Sequence, residues 1–184
     1  MLQIKPDIKV DGTYLIDQNI NRPLECKCVD GPLEWEFGEQ TIKARFEDDI
    51  LQKFHAQRLN TALDPEGEFL RTMFKAAWDN LLDIRKNEQS SAKMLVFTKD
   101  KEHLIRAAST FQKVTGLKPI VVHEEVDGTS TIIEEFKTDS APVIFNIRML
   151  AEGVTIKPAR VVCYATNVTE DLPFKQIVTR ASRK

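Results

Sequence analysis

Four short apolar runs, spaced by stretches of helical pattern, constrain this chain more than any other feature. The runs are Met94-Leu95-Val96-Phe97-Thr98, Pro119-Ile120-Val121-Val122-His123, Val143-Ile144-Phe145-Asn146-Ile147 and Arg160-Val161-Val162-Cys163-Tyr164. Each is apolar throughout instead of alternating with polar residues, as expected of a strand covered on both faces. Between them lie helical stretches at Lys101–Thr115, closed by Gly116 as a C-cap, and around Thr129–Lys137. Strands alternating with helices predict an α/β fold with a mostly parallel sheet in three layers. In such sheets the working loops lie at the carboxyl ends of the strands. Here those ends are Thr98-Lys99-Asp100, His123-Glu124-Glu125, Arg148 to Thr155, and Ala165-Thr166-Asn167.

The earlier part of the chain is less regular. Residues 1–40 read as a connector with short strands. It is punctuated by turn signals at Asp11-Gly12, Asp30-Gly31-Pro32 and Phe37-Gly38, and Cys26 to Val29 is one strand candidate. From Thr41 to about Arg58, Ile42, Phe46, Ile50 and Phe54 recur at four-residue spacing and predict a helix. A second helix is expected from Asp64 as N-cap and Pro65 as first helical residue, with the stripe Leu70, Met73, Phe74, Ala77, Trp78, Leu81, Leu82, ending near Asn87. The chain thus divides into a connector (1–40), a helical segment packed on the main lobe (41–90) and the α/β lobe (91–184).

Bulk properties narrow the function classes. Among 184 residues, 42% are hydrophobic and 29% charged, and the formal net charge is -2. A chain so nearly neutral has no global field for a polyanion, so any nucleic-acid contact must come from a local patch. No apolar run is long enough for a membrane span, and the first residues carry no secretory pattern. Three cysteines without framework spacing point to a reducing compartment, with cytoplasm as the default.

The last helix, expected over about Leu172–Arg183, carries the chemistry. Phe174, Ile177, Val178 and Ala181 form one stripe, predicted to be buried. Gln176, Thr179, Arg180 and Arg183 form a second. Two guanidiniums one turn apart make a rigid clamp for phosphate oxygens. Taken alone, the pair reads first as the solvated basic end of a helix, which the helix dipole favours.

In context the pair gains meaning. Met94 to Asp100, then Ile147-Arg148-Met149-Leu150-Ala151-Glu152-Gly153-Val154-Thr155, then Gln176 to Arg183 occur in one order on successive elements. Over residues 93–184 the sequence resembles the C-terminal RecA-like lobe of a superfamily 2 helicase, DEAD/DEAH-box-related and of bacterial or phage type. The three stretches match that family's motifs IV, V and VI. The resemblance implies that Arg180 and Arg183 reach a nucleotide's phosphates across a cleft, as catalytic arginine fingers. It implies that Gln176, Gly153 and Thr155 help to bind the nucleotide. It also implies that Thr98, Lys99 and Arg148 contact a nucleic-acid backbone. The implied cofactor is ATP, with its Mg2+ held by a partner lobe. The implied partners are an N-terminal helicase lobe, in cis or in trans, and DNA or RNA; no membrane partner is implied.

Two positions depart from the family pattern. Thr179 stands where motif VI carries Gly, and Thr155 stands where motif V carries Asp. The sequence contains no Gly-x-x-x-x-Gly-Lys-Ser/Thr and no Asp-Glu-Ala-His-like box after a strand. The β-phosphate cradle and Mg2+ ligands are therefore expected from another domain, and no ATP hydrolysis is expected from this chain alone. The sequence ends at Lys184 directly after motif VI, where the family's lobe usually continues. A fragment, a split gene product and a stand-alone lobe all fit. A second reading is a nucleic-acid- or protein-binding scaffold derived from such a lobe. A third, an unrelated α/β enzyme, lacks a nucleophile–base pair or carboxylate cluster.

Other candidates carry less. Cys26-x-Cys28 with a histidine matches no common zinc spacing, so no metal site is expected. Cys163 reads as a buried small residue, His123 as a capping or surface residue and Glu124-Glu125 as a solvated loop, while Trp35 and Trp78 read as packing residues.

Overall fold

The computed structural model describes residues 21–27, 29–147, 150 and 154–182. In chain order it contains β1 (Leu33–Phe37), β2 (Gln40–Ala44), a 3-10 turn (Gln52–Phe54), α1 (His55–Ala62), α2 (Glu68–Asn87), β3 (Lys93–Thr98) and α3 (Lys101–Thr115). There follow β4 (Ile120–Val122), α4 (Thr129–Thr138), β5 (Val143–Asn146), β6 (Ala159–Ala165), α5 (Asp171–Val178) and a second 3-10 turn (Thr179–Ser182).

The four apolar runs form the predicted sheet. Its strand order is β4-β5-β3-β6, and every pairing is parallel. Side chains alternate between its faces. Met94, Val96 and Phe145 point to one face, where Leu70, Phe74 and Leu81 of α2 and Leu104 and Phe111 of α3 cover them. Leu95, Phe97 and Ile144 point to the other, under Ile133 and Phe136 of α4 and Ile177 of α5. The outcome is the three-layer α/β fold that the alternating pattern predicts. Gly116 closes α3 in the left-handed conformation (φ 76°), with its N–H donating to the Gln112 carbonyl. Among the described residues, no helix is long and apolar enough to cross a membrane.

Ahead of this lobe, three expectations need correction. The first is the helix from Thr41 to about Arg58. Gln40–Ala44 is a strand paired antiparallel with β1, Trp35 opposite Ile42 and Leu33 opposite Ala44. The two-residue loop Gly38-Glu39 makes the hairpin, with Gly38 at φ 65°, a conformation that costs glycine least. After it, the Asp48 carboxylate accepts from the Arg45 N–H at 2.6 Å, and Arg58 Nη1 donates to the carbonyls of Arg45 and Asp48. That turn breaks any helix through Phe46. Ile42, Ile50 and Phe54 still share a cluster, but they reach it from strand, loop and 3-10 turn. The four-residue spacing reported common burial, not helical geometry.

The second correction is local. α2 begins at Glu68 with Gly67 as N-cap, not at Pro65. Asp64 folds its carboxylate back on the Glu66 N–H at 3.0 Å, and the Gly67 N–H donates to the Asp64 carbonyl at 2.9 Å. A Cβ at Gly67 would lie 3.1 Å from that carbonyl, so the turn favours glycine there. Third, Cys26, Lys27 and Val29 form no strand, and Cys28 lies outside the described residues.

Side chains from α3 hold the α1–α2 connector. His103 Nε2 lies 2.6 Å from the Leu63 carbonyl and donates to it, and Thr110 Oγ1 donates to the Pro65 carbonyl at 2.7 Å. Burial pushes the His103 imidazole below its ordinary range, so the folded state favours the neutral ring. An unfolded chain takes up that proton near pH 6.5, so stability should rise with pH through the window just below about 6.5. Urea midpoints between pH 5 and 7 should show that slope in the wild-type chain and a flatter one in His103→Gln. An unchanged slope in the variant would assign the effect to another group.

Candidate functional site

The loops at the carboxyl ends of the strands are built by a few buried polar side chains. After β3, Asp100 takes an extended conformation and accepts from the His103 N–H at 2.8 Å, capping α3. Lys99, half-buried, lies 3.8 Å from the Asp100 carboxylate. It lines an open cleft of about 480 Å3 with Asn60, Thr61, Asp64, His103 and Arg106. Thr98 is different: it is 2% exposed, and its hydroxyl donates to the Asn146 carbonyl at 3.1 Å. A hydroxyl turned into the sheet does not reach a nucleic-acid backbone, which corrects the expectation for Thr98. Lys99, half-buried at the cleft, is the more accessible of the pair.

After β4, His123 Nδ1 accepts from the Glu125 N–H at 3.3 Å, the capping role expected of it. Glu125 pairs with Lys101, and this hydrogen bond holds its carboxyl below the ordinary range. Glu125 is an exposed loop carboxylate, as expected. Elsewhere, Cys163 is buried, and burial pushes its thiol up to about 12. Among the described residues, no three of His, Cys, Asp and Glu come together to hold a metal ion. Trp78 packs edge-on to Phe111 at 5.9 Å and Trp35 edge-on to Phe54 at 6.3 Å.

The chain end departs from one regular helix. α5 stops at Val178, and Thr179–Ser182 tightens into a 3-10 turn against β6. The Thr179 hydroxyl donates to the Lys175 carbonyl at 2.7 Å and the Ser182 hydroxyl to the Thr179 carbonyl at 2.8 Å. Phe174 was expected in the buried stripe with Ile177, Val178 and Ala181. It is instead 38% exposed, edge-on to Tyr164 at 5.2 Å. Ile177 and Ala181 are buried as expected. Arg180 was expected on an open helix face, and the structure corrects this. The residue is 7% exposed, and Nη1 donates to the Val154 carbonyl at 2.7 Å. The tighter turn swings residue 180 off the stripe it would occupy in an α-helix and onto the sheet edge.

Two of the predicted residues are brought near each other by one hydrogen bond. Arg180 is fixed to Val154, whose neighbour Thr155 is exposed, and Gln176 lies half-buried one turn before the arginine. Lys99 belongs to a separate loop. Arg148, Gly153 and Arg183 lie outside the described residues. Sequence reasoning passed over Asn146, a wholly buried amide at the end of β5. The signal was present as a lone polar residue closing the run Val143-Ile144-Phe145.

With this geometry in place, the comparisons with known proteins decide the family. Residues 75–184 match the model of the helicase conserved C-terminal domain. The chain belongs to that family. The match begins inside α2, so β1, β2 and α1 of this helicase C-terminal domain protein lie ahead of the matched stretch. Among curated proteins, it is 27% identical over 180 residues to the uncharacterized protein Rv2917 of Mycobacterium tuberculosis, and 28% identical over 181 residues to the uncharacterized protein ML1624 of Mycobacterium leprae. Each alignment covers 95% of this chain and 30% of the relative, so the chain spans about a third of the length of these relatives. Among solved structures, a fragment described as an HsdR subunit of a type I restriction enzyme from Vibrio vulnificus YJ016 is similar. It aligns at 23% identity with a TM-score of 0.45, covering 66% of this chain and 27% of that one.

Proposed function

We propose that this chain is the C-terminal lobe of an ATP-dependent nucleic-acid helicase or translocase. In this role Arg180 and Arg183 stabilise charge on the transferring phosphoryl group, and Gln176, Gly153 and Thr155 line the nucleotide's side of the cleft. Lys99 and Arg148 contact the nucleic-acid backbone. The observation that carries the proposal is the anchoring of Arg180 at the Val154 carbonyl, beside Thr155. A guanidinium held in place before the reaction needs little reorganisation when phosphoryl charge develops. The residues present fit only this half of a nucleotide site. Arginines meet phosphate charge, but the sequence has no phosphate loop and no carboxylate box for Mg2+. ATP and Mg2+ therefore require a partner lobe, in cis or in trans.

The chain alone should show no nucleic-acid-stimulated ATP turnover, and turnover should appear when it is joined to a lobe that carries a phosphate loop. Persistent silence of the joined protein, despite bound nucleotide, would overturn the proposal. Lys99→Ala should weaken binding of a single-stranded oligonucleotide about equally across sequences. It should also lower the slope of log affinity against log salt by about 1. An unchanged slope removes Lys99 from the contact.

A second reading is a scaffold that binds nucleic acid or protein without hydrolysis. The observation in its favour is the burial of Arg180 and its hydrogen bond to Val154, which also suit a structural arginine. Thr155 in place of Asp and Thr179 in place of Gly point the same way. It is distinguished by a joined protein that binds oligonucleotide normally but shows no nucleic-acid-stimulated ATP turnover.

A further inference from the structure

We propose that residues 21–27 form a releasable strap on the arginine-bearing turn Thr179–Ser182, so that the chain ahead of the lobe regulates how firmly that turn is held. The regulatory meaning rests on the proposed function, whereas the strap itself rests on contacts between described residues. A helix leaves its last carbonyls without partners of its own. At the close of this turn the Ser182 carbonyl takes a partner from the far end of the sequence, the Arg22 N–H, which donates to it at 2.6 Å. Pro23 disfavours helical backbone at Arg22, which leaves that N–H free to donate across the chain.

The two sides of this bond differ. Arg180, Ala181 and Ser182 are buried, and the Ser182 hydroxyl donates to the Thr179 carbonyl at 2.8 Å, which ties the end of the turn to its start. The strap is lightly held. Residues 22–27 form no helix or strand, Pro23, Leu24, Glu25, Cys26 and Lys27 are exposed, and none of residues 21–27 belongs to the buried apolar clusters. Lys27 Nζ donates to Asn80 Oδ1 of α2 at 3.0 Å, an exposed contact. Burial, and then repulsion from the Arg160 guanidinium, hold the Arg22 guanidinium below its ordinary range, with Glu88 opposing them. Segments with few buried contacts open at low free energy, and packed ones do not. When the strap opens, the Ser182 carbonyl loses that donor and the turn that carries Arg180 loosens.

Arg22→Pro removes the N–H donor and Arg22→Ala keeps it, so the two variants separate the backbone bond from the side chain. Amide exchange in Thr179–Ser182 and in α3 would be followed by NMR in the full chain, with global stability taken from urea unfolding. Arg22→Pro should speed exchange in the turn by about tenfold beyond its global effect, the scale of one lost hydrogen bond at a buried acceptor. Arg22→Ala should leave the turn close to wild type. Wild-type exchange in Arg22→Pro overturns the proposal, as does equal acceleration of turn and α3, or of the turn in both variants. If Arg22→Pro does not fold, the wild-type chain carries the test: the Arg22 amide should be protected and should open together with the turn amides, at lower free energy than α3. An unprotected Arg22 amide overturns the proposal. These measurements need neither ATP nor nucleic acid. Regulation is read in the joined protein, where Arg22→Pro should lower kcat several-fold at unchanged KM for ATP and Arg22→Ala should not. Wild-type kcat with a loosened turn overturns the proposal. A wild-type joined protein without turnover counts against the functional reading and leaves the exchange result standing.

Discussion

Changing Arg180 to lysine, in this domain joined to a lobe with a phosphate loop, should lower nucleic-acid-stimulated ATP turnover by about 10³-fold or more. Lysine keeps the charge but not the planar fork. It can meet a phosphate oxygen as a point charge, but it cannot hold the Val154 carbonyl with one nitrogen while presenting others. The loss should fall on kcat rather than on KM, because the interaction strengthens as charge builds on the transferring group. Turnover measured at saturating nucleic acid, beside a urea melt of the same variant, separates this effect from unfolding. A stable variant with wild-type kcat would leave Arg180 a structural residue.

The largest effect on stability is expected from Phe111→Ala. Phe111 is wholly buried between α3 and the sheet. Its ring meets Phe145 at 5.4 Å, Phe74 at 5.6 Å and Trp78 at 5.9 Å, each edge-on. Truncation removes the ring's burial, leaves a cavity among three aromatic neighbours and breaks those contacts. The expected cost is about 3–5 kcal/mol, which is much of the total stability of an ordinary domain. Urea unfolding should show a lower midpoint with an unchanged slope. Phe111→Leu, which fills most of the space, should cost less. A loss below about 1 kcal/mol for alanine would mean that α2 closes onto α3 and fills the gap.

The sheet was legible because its strands are buried on both faces, which forces runs such as Met94-Leu95-Val96-Phe97 into a form that few other structures need. Gly116 was equally plain, since a left-handed cap has a strong local preference. The β1–β2 hairpin was not legible in the same way. Ile42 is set by Trp35 across the hairpin and by a turn held through Arg58, and neither partner is visible in a window around Ile42. The motif order pointed to Arg180, but its burial was hidden. An i to i+4 count assumes an α-helix, and the segment tightens at Thr179, whose hydroxyl bonds back to the helix. Asn146 was passed over for a related reason. One polar residue at a strand end looks like the start of a loop until its partners, Val96 and Leu150, are known.

The strand order carries a consequence for how the chain becomes folded. β3 is the first of the four sheet strands in sequence, yet it lies between β5 and β6, with Met94 opposite both Val143 and Val161. During synthesis its central strand emerges with neither neighbour made, and its apolar residues must wait for β5 and then β6. Contacts this distant in sequence slow folding and lengthen the life of exposed strand edges. The helices α2 and α3, which flank β3 in sequence, pack on one face of it, and α4, which also precedes β5, packs on the other, so its faces can be covered before its edges are paired. A nascent chain halted before Ala159 would hold a sheet with one side of its middle strand unpaired, open to a chaperone or to another copy of itself.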